Sequence, residues 1–347
     1  MKVPKLYHNL DDSEAESLPS QAITKSAEGG NVASAQSYKQ FENPFRIEDL
    51  MVFDDATLQH MLSSSGFGLA LRDLACSLQG APKPLVERIE RNLPPEKRSY
   101  FIEELSRPVS RKEVEAARQR VLDGLFWELT YWKTPELYDE LTEGEPLHPG
   151  IFQRLEPDLR DKIVLDAGAG TGRASFECVR HGAKLVYAVE PCPSLLRILE
   201  QKLANSPDVG RIVPRQGRFD HLPLAENSVD VALSCSAFTA EPAQGGEPGL
   251  AELQRVTKPG GKIVLIWPRI PDYAWLAVHG FQHVMLPIDQ EMTVRFRSLE
   301  SALRCARHFY AHNKTVVDYI LKRRRPEVPY SVLGFNPPID YCWLTVE

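Results

Sequence analysis

After a polar N-terminal segment, the apolar positions recur every three or four residues, as they do on one face of an α-helix. Leu58, Met61 and Leu62 form one such stripe, and Asp54 or Asp55 is placed to cap the helix that carries them. No alternation typical of a β-strand interrupts this pattern. The sequence therefore predicts a small all-helical domain in this part of the chain.

Ser110 and Glu113 have the Ser-x-x-Glu spacing of a capping box and predict another helix start in the same domain, which we assign to residues 44–130. Residues 1–43 are rich in Ser, Ala, Glu and Gly and contain few large apolar residues. Such a segment cannot bury enough surface to offset the entropy of ordering, so we predict a disordered tail. Residues 131–150 are predicted to form a linker or cap.

Beyond Pro149, short apolar segments alternate with amphipathic ones, which predicts a parallel α/β sheet in residues 151–347. A turn is predicted at Pro259–Gly261, before the fifth strand. Two candidates near the end, separated by Asn-Pro-Pro, are predicted to form a hairpin that closes one edge of the sheet. The predicted strands are Lys162–Asp166, Lys184–Glu190, Arg211–Gly217, Ser228–Phe238, Lys262–Pro268, Tyr330–Phe335 and Asp340–Glu347.

A glycine-rich turn follows the first of these strands and opens a helix. Glycines there can adopt a positive φ and let the backbone approach a ligand closely. The dinucleotide fingerprint would require a glycine at position 173, where the chain has Arg173, so that fingerprint does not match. The turn reads Asp166-Ala-Gly168-Ala169-Gly170-Thr-Gly172.

This turn resembles motif I of the class I S-adenosylmethionine (SAM)-dependent methyltransferases. Later passages resemble that family in the same order, and the likeness covers about residues 132–347. These later passages are Arg215–Leu224, Asn227–Val231 and Leu253–Gly261. The resemblance implies a Rossmann-like sheet, SAM as the cofactor and a methyl-transfer reaction, preceded by the small all-helical domain.

The resemblance also implies the residues that hold the cofactor. Glu190 ends the second strand, where the family places an acid that accepts hydrogen bonds from both ribose hydroxyls, and a carboxylate can accept both. The family often has an acid directly after Gly217, but this chain has Arg218. The implied cofactor residues are Asp166, Gly168, Ala169, Gly170, Gly172, Glu190, Pro191, Phe219, Asp220 and Ser234.

The acceptor is predicted to lie at the carboxyl ends of the strands, after strands four and five. Positioning supplies much of the rate of methyl transfer, and a base is required only when the acceptor must lose a proton, so no catalytic residue is assigned. A small-molecule acceptor is slightly favoured over a protein. The candidate lining residues are Ser234, Cys235, Ser236, Phe238, Trp267 and Pro268, with His308, Tyr310 and His312 from a later helix.

Several further patterns are interpreted as structural, and no metal site is predicted. The basic run is assigned to a helix C-terminus, and the Asn-Pro-Pro string to a turn. The patterns interpreted as structural are the histidine pairs His279/His283 and His308/His312, the basic run Lys322–Arg325 and the string Asn336–Ile339.

Residues 48–126 resemble a second family, the C-terminal domain of the flagellar motor-switch protein FliG. The likeness lies in Glu48–Asp55, Leu69–Ala75, Leu78–Ala81, Ile89–Leu93 and Arg107–Glu115. It implies a module that docks on a protein partner. The alternative to an enzyme is therefore a non-catalytic SAM-binding regulator that docks through this domain.

Composition narrows the class of protein further. The 347 residues carry 41 Lys and Arg against 47 Asp and Glu, a net charge of -6, which argues against broad binding of nucleic acid. No apolar run approaches the length of a membrane span, and no apolar signal core begins the chain. The six cysteines form no CxxC pair. These features predict a cytoplasmic protein with reduced thiols.

Overall fold

The computed structural model describes residues 43–63 and 69–347. The predicted disordered tail lies outside the described residues, apart from Asn43. The helices are α1 Asp55–Ser63, α2 Leu71–Ser77, α3 Lys83–Asn92, α4 Pro95–Ser106, α5 Arg111–Gly124, α6 Phe126–Lys133, α7 Pro135–Gly144, α8 Pro149–Leu159, α9 Arg173–Arg180, α10 Pro193–Ala204, α11 Gly246–Val256, α12 Tyr273–Val278, α13 Leu299–Phe309, α14 Lys314–Arg323 and α15 Tyr330–Leu333. The strands are β1 Ile163–Ala167, β2 Leu185–Glu190, β3 Ile212–Gln216, β4 Val229–Cys235, β5 Thr257–Ile266, β6 Gln282–Met285, β7 Thr293–Arg295, β8 Glu327–Pro329 and β9 Asp340–Thr345.

The N-terminal region is helical throughout its described residues, and its predicted caps are present. Asp54 caps α1, because its Oδ1 accepts a hydrogen bond from the Thr57 N–H at 2.7 Å. Ser110 and Glu113 form the capping box of α5, in which the Ser110 N–H donates to Glu113 Oε2 at 2.8 Å and the Glu113 N–H to Ser110 Oγ at 3.3 Å. Local side-chain chemistry therefore sets where these helices begin.

Seven strands form the central sheet, in the order β3-β2-β1-β4-β5-β9-β6. Strands β1 to β5 are parallel, and β9 is antiparallel to both β5 and β6. Helices cover both faces of the sheet, over two separate apolar clusters. This is the predicted Rossmann-like sheet. The strand order reverses between β1 and β4, which leaves a crevice at their carboxyl ends.

The predicted terminal hairpin is wrong. Residues 330–333 form the short helix α15 instead of a strand, because Tyr330 and Leu333 are three residues apart and are both buried. Gly334, at φ +85°, ends that helix. The other candidate is β9, which lies inside the sheet between β5 and β6, while β8 pairs with β7 in a separate two-stranded ribbon.

The predicted turn at Pro259–Gly261 lies within β5, where the pairing with β4 is irregular. Val229 faces Thr257 and Val231 faces Lys262, so several residues of β5 oppose one residue of β4. Gly260 lies in this irregular segment with a φ of +76°, a conformation that favours glycine. The turn and the strand are therefore both present in the same segment.

One apolar cluster joins the N-terminal helices to the segment α13–α15, which is inserted between β6 and β9. The rings of Trp127 and Phe309 stack at 5.5 Å, and Phe126 meets Phe309 edge-on at 6.4 Å. The helical region is thus packed on the later insertion as one body of apolar side chains. Together they cover part of the carboxyl edge of the sheet.

Candidate functional site

The glycine-rich loop between β1 and α9 adopts a conformation that favours glycine. Gly168, Gly170 and Gly172 have φ values of +73°, +55° and +96°. The N–H groups of Gly168 and Ala169 donate to the carbonyl oxygen of Val189 at 2.8 and 3.0 Å, which ties the loop to the end of β2. The loop is therefore fixed beside the acid that follows Val189.

Asp166 lies near the end of β1 and is fully buried. Its Oδ2 accepts a hydrogen bond from Ser175 Oγ at 2.6 Å, but its Oδ1 has no partner among the described residues. Burial raises the pKa of Asp166 to about 6. The hydroxyl of Ser234, on the neighbouring strand β4, is also buried and has no hydrogen bond within the described part of the chain. Two polar groups at this crevice are thus left unsatisfied by the described residues.

Glu190 ends β2 and holds the loop through its side chain. Its Oε2 accepts a hydrogen bond from the Gly170 N–H and its Oε1 one from the Cys192 N–H, both at 2.9 Å. Burial raises the pKa of Glu190 to about 7, against these two hydrogen bonds. A carboxylate has about four acceptor positions, so about two remain for a ligand. Pro191, the next residue, is exposed.

Phe219 and Asp220 follow β3 and differ in their surroundings. The Phe219 ring meets Phe238 edge-on at 5.4 Å and lies close to the loop at Gly168. Asp220 instead pairs with Arg218, at 3.0 Å, and Arg218 also contacts His60 of α1. The N-terminal helices therefore reach this side of the crevice. The carboxylate of Asp220 is therefore paired with Arg218. Phe238 lies beside Phe219, on the cofactor side of the crevice rather than on the predicted acceptor side.

The predicted cofactor residues lie at or just beyond the ends of four neighbouring parallel strands. The loop glycines and Asp166 belong to β1 and its turn, Glu190 and Pro191 to β2, Phe219 and Asp220 to the segment after β3, and Ser234 to β4. Of these, Asp220 and Pro191 are the most exposed. Residues far apart in sequence are thus brought to one crevice.

Two tyrosines at this crevice, Tyr131 and Tyr138, belong to none of the sequence motifs. A Cβ at Gly170 would lie 3.5 Å from the hydroxyl oxygen of Tyr138, and the rings of Tyr131 and Tyr138 are 4.8 Å apart. Burial raises the pKa of both hydroxyls. Their helices, α6 and α7, therefore form a wall beside the glycine-rich loop. In the sequence, aromatic residues on helices indicate only a core.

A polar cluster of buried and half-buried side chains lies at the carboxyl ends of β4 and β5, on the predicted acceptor side. We call Glu145, Arg173, Ser236, Tyr310 and Tyr330 the acceptor cluster. Arg173 donates to Glu145 Oε2 at 3.4 Å and to Ser236 Oγ at 3.2 Å. A cavity of about 600 Å³ includes Glu145 and Arg173 in its lining, but its other lining residues come mostly from α7, α8 and α9, and Ser236, Tyr310 and Tyr330 are not among them.

Backbone conformation at the acceptor cluster is unusual. Ser236 and Trp267 directly follow β4 and β5, and both have positive φ values, +60° and +55°. Non-glycine residues rarely adopt this region, and strain of this kind is typical of functional sites. Cys235 lies beside Ser236, with its sulfur 3.6 Å from Arg173. Pro268 is buried directly after Trp267.

Of the three residues predicted to line the acceptor side from a later helix, only Tyr310 does so. Its hydroxyl lies beside Glu145, and the charge of Glu145 adds to burial in raising the pKa of Tyr310. The imidazole of His308 instead meets Thr130 Oγ1 at 3.1 Å, and His312 is exposed. Tyr330, which the sequence did not indicate, takes their place.

The remaining histidine and basic patterns are structural. His279 follows α12 and His283 lies on β6, so the two do not share a helix face. Lys322 and Arg323 occupy the last turn of α14, as predicted. Within residues 43–63 and 69–347, no group of three or more His, Cys, Asp or Glu could hold a metal ion. No helix of that described part is long and apolar enough to cross a membrane.

Two family models match the chain. Residues 165–265 match a family described as a methyltransferase domain, and they run from within β1, through the glycine-rich loop, to near the end of β5. The match supports a class I methyltransferase domain. Residues 37–125 match the FliG C-terminal domain, in agreement with the second resemblance. Neither match extends over half of the chain.

Relatives match the methyltransferase domain. An uncharacterised methyltransferase of Mycobacterium tuberculosis strain H37Rv is 36% identical over 105 residues, which are 30% of this chain and 39% of the relative. One of Geobacillus kaustophilus is 30% identical over 141 residues, 40% of this chain and 61% of the relative. The chain thus spans about two to three fifths of the length of these relatives.

Solved structures resemble the chain at low TM-scores. A SAM-dependent methyltransferase of Mesorhizobium loti has a TM-score of 0.29 and 22% identity, covering 33% of this chain and 50% of that one. A protein of Bacillus subtilis has a TM-score of 0.37 and 14% identity, covering 56% and 95%. The fold assignment therefore rests on the strand order of the sheet.

SAM is the expected cofactor of the methyltransferase domain, and the crevice has the groups to receive it. The glycine-rich loop presents backbone without side chains, and Glu190 has acceptor positions beyond its two hydrogen bonds. The oxygens of Asp166 and Ser234 that have no partner among the described residues can accept polar groups or water. Phe219 offers an aromatic surface near the loop. The residues present therefore fit a sulfonium nucleoside.

The raised pKa of Glu190 makes stability depend on pH. The folded protein holds this proton up to about pH 7, while an unfolded glutamate releases it near pH 4.5. Stability from this group is therefore lost as the pH rises between those values. His60 and His308, with pKa values lowered to about 4, act in the opposite direction. We therefore expect the melting temperature of Glu190→Gln minus that of the wild type to increase by several degrees between pH 5 and pH 8.

Calorimetric scans of the ligand-free proteins measure this difference. The subtraction removes the histidine contribution, because both proteins carry it. A difference that stays constant, or that shrinks as the pH rises, would show that Glu190 is not protonated in the folded protein.

Proposed function

We propose that the chain is a SAM-dependent methyltransferase that acts on a small molecule. The observation that carries the proposal is the glycine-rich loop, which is bonded through Gly170 to the carboxylate that ends β2. In this arrangement one loop and one acid face the same crevice. The matched family and the expected cofactor support the same reaction.

In this proposal, different residues of the crevice contact different parts of SAM. Glu190 accepts hydrogen bonds from the ribose hydroxyls, and the loop backbone faces the amino-acid end of the cofactor. Phe219 packs near the adenine. SAM supplies an electrophilic methyl group. Tyr131 and Tyr138 are half-buried, and Tyr138 lies against Gly170, so in this proposal the two rings limit the access of water to the loop.

The enclosure of the acceptor cluster supports a small acceptor. Tyr310 and Tyr330 are each about 2% exposed, and they belong to the segment that is inserted over the sheet. Phe335 packs against both rings, at 6.1 and 5.3 Å. A protein side chain would have to pass this cover, which favours a small molecule as the acceptor.

The docking role of residues 48–126 remains a prediction. The contacts of the helical region support an additional role, because His60 meets Arg218 beside the crevice. In this proposal the region stabilises one wall of the cofactor site. The comparisons do not favour the alternative of a non-catalytic SAM-binding regulator.

Calorimetry and methyl transfer test this function directly. We expect SAM to bind with a dissociation constant in the micromolar range and NAD not to bind, since the dinucleotide fingerprint is absent. Incubation with methyl-labelled SAM and cell extract should transfer label to the small-molecule fraction. Binding without transfer to any acceptor would instead support the regulator, and preferential binding of NAD would refute the assignment.

A further inference from the structure

Another cavity lies between the end of α14 and the ribbon of β7 and β8. Its lining shares no residue with the cofactor crevice or the acceptor cluster. Its volume is about 830 Å³, within the range of cavities that hold small molecules. Its charged lining residues are Arg295, Lys322, Arg323, Arg325 and Glu327. We call this space the basic cavity.

The basic cavity has an excess of positive charge. Four cations less one carboxylate leave three positive charges in its lining, in a chain whose net charge is -6. Arg295 pairs with Glu327 at 3.4 Å. Lys322, Arg323 and Arg325 are exposed and form no ion pair with any of the described residues. The end of a helix carries only about half a negative charge, so the position of the basic run at the end of α14 accounts for a small part of this excess.

Different elements hold these cations around one space. Arg323 is the last residue of α14, and its guanidinium lies over the ring of Tyr319 at 5.8 Å. Arg324, with a φ of +52°, ends the helix. The Phe296 N–H then donates to the carbonyl oxygen of Pro326 at 3.0 Å, which fixes the approach to β8 against the end of β7. Cations of the helix, of its connection to β8 and of β7 therefore line the same cavity.

We propose that the basic cavity binds a small ligand with two or more linked phosphate groups. A phosphate has three acceptor oxygens, and guanidinium groups bind such oxygens through paired hydrogen bonds. Because the cations come from several elements, they suit a tetrahedral group that accepts from several directions better than a planar carboxylate. A single phosphate brings at most about two negative charges, so linked phosphates match the excess better. This site goes beyond the proposed function and does not depend on methyl transfer.

A small ligand fits the basic cavity better than a nucleic acid or a membrane surface does. Both of those partners are bound mainly through broad cationic surfaces. Here the chain as a whole is acidic, and the cations are gathered at one concave site. The exposed Asp318 lies about one turn before Lys322 on α14 and interrupts the positive surface.

Calorimetric titration of the full chain with inorganic pyrophosphate tests the site. Pyrophosphate contains the linked phosphates without a nucleoside, so it does not resemble SAM. We expect it to bind equally well with and without saturating S-adenosylhomocysteine, because the basic cavity is separate from the cofactor crevice. Citrate, a polycarboxylate of comparable charge, should bind about tenfold more weakly or not at all.

Three variants test the assigned residues. Arg325→Gln removes one lining cation, and the loss of a charge-assisted hydrogen bond should weaken pyrophosphate binding about tenfold or more. Arg324→Gln is the matched control, because it removes the same charge from an adjacent exposed residue that does not line the cavity. It should weaken binding only about twofold, since salt screens exposed charges. Glu327→Gln should tighten binding, because it removes the lining carboxylate and releases Arg295. Thermal melts show whether each variant is folded.

The other outcomes overturn the proposal. These are no binding of pyrophosphate by the wild type, equal affinity for citrate, or equal losses in Arg325→Gln and Arg324→Gln. Displacement of pyrophosphate by S-adenosylhomocysteine would assign it to the cofactor crevice instead. Oligouridine, and phosphatidylcholine vesicles that contain phosphatidylinositol bisphosphate, serve as macromolecular and membrane probes. Tighter binding of either one than of pyrophosphate, lost in Arg325→Gln, would assign the cavity to that larger partner.

Discussion

Replacing Glu190 with alanine should weaken SAM binding by about 100-fold or more. We expect the buried Glu190 side chain to accept both ribose hydroxyls. At pH 8, above its pKa of about 7, each hydrogen bond to the charged carboxylate is worth about 1.5–3 kcal/mol. The change also removes the acceptor of the Gly170 and Cys192 N–H groups, so the loop loses its bond to the end of β2. Calorimetric titration of SAM measures the loss, and a thermal melt of each protein shows whether the fold survives.

Two further variants make this result specific. Glu200→Ala removes an exposed glutamate from α10 and should bind SAM as the wild type does. Glu190→Asp keeps the charge but shortens the side chain, so we expect an intermediate loss. If Glu190→Ala binds SAM within a factor of three of the wild type and remains folded, Glu190 does not hold the ribose.

The sheet and its loop could be predicted because their signals are local. β1 begins with an apolar segment, and the glycines at 168, 170 and 172, all in the loop after it, each adopt a positive φ. The acid at 190 follows the next apolar segment directly. In such cases neighbouring residues determine both the element and its chemistry.

The acceptor side could be predicted only in part, because its residues come from distant segments. Glu145 precedes β1, Tyr310 and Tyr330 lie in the late insertion, and only the fold brings them to Arg173. A tyrosine at helical spacing indicates a core in either case. The sequence favoured His308 as well, but its ring packs on Phe126 at 5.1 Å, away from the cluster.

The error at residues 330–335 has the same origin. A short apolar run does not distinguish a strand from a buried helical turn. Here the joint burial of Tyr330 and Leu333, three residues apart, favours the helical turn, and Tyr330 also meets Phe335 edge-on at 5.3 Å. The choice is tertiary and places the Tyr330 hydroxyl near the ion pair of Glu145 and Arg173.

Substituting Gly168 with alanine should both destabilise the domain and abolish SAM binding. The residue has a φ of +73°, where an L-residue costs about 1–2 kcal/mol. A Cβ there would also lie 2.6 Å from the Cβ of Ala237, an atom fixed to the backbone, and 3.2 Å from Cζ of Phe219. Such a clash costs about another 1–3 kcal/mol, because a packed site must shift to relieve it.

Gly210→Ala separates the two causes. Gly210 has a φ of +87°, but a Cβ there meets nothing within 4 Å, so this variant carries the backbone cost alone. Denaturant unfolding should therefore show that the free energy of unfolding falls by about 1–2 kcal/mol in Gly210→Ala and by about 2–5 kcal/mol in Gly168→Ala. SAM titration without denaturant, at a temperature where both variants are folded, should show normal SAM binding for Gly210→Ala and none for Gly168→Ala. Equal losses of stability together with normal SAM binding in both variants would mean that the loop tolerates a side chain. It would then not be the close contact on which the cofactor site depends.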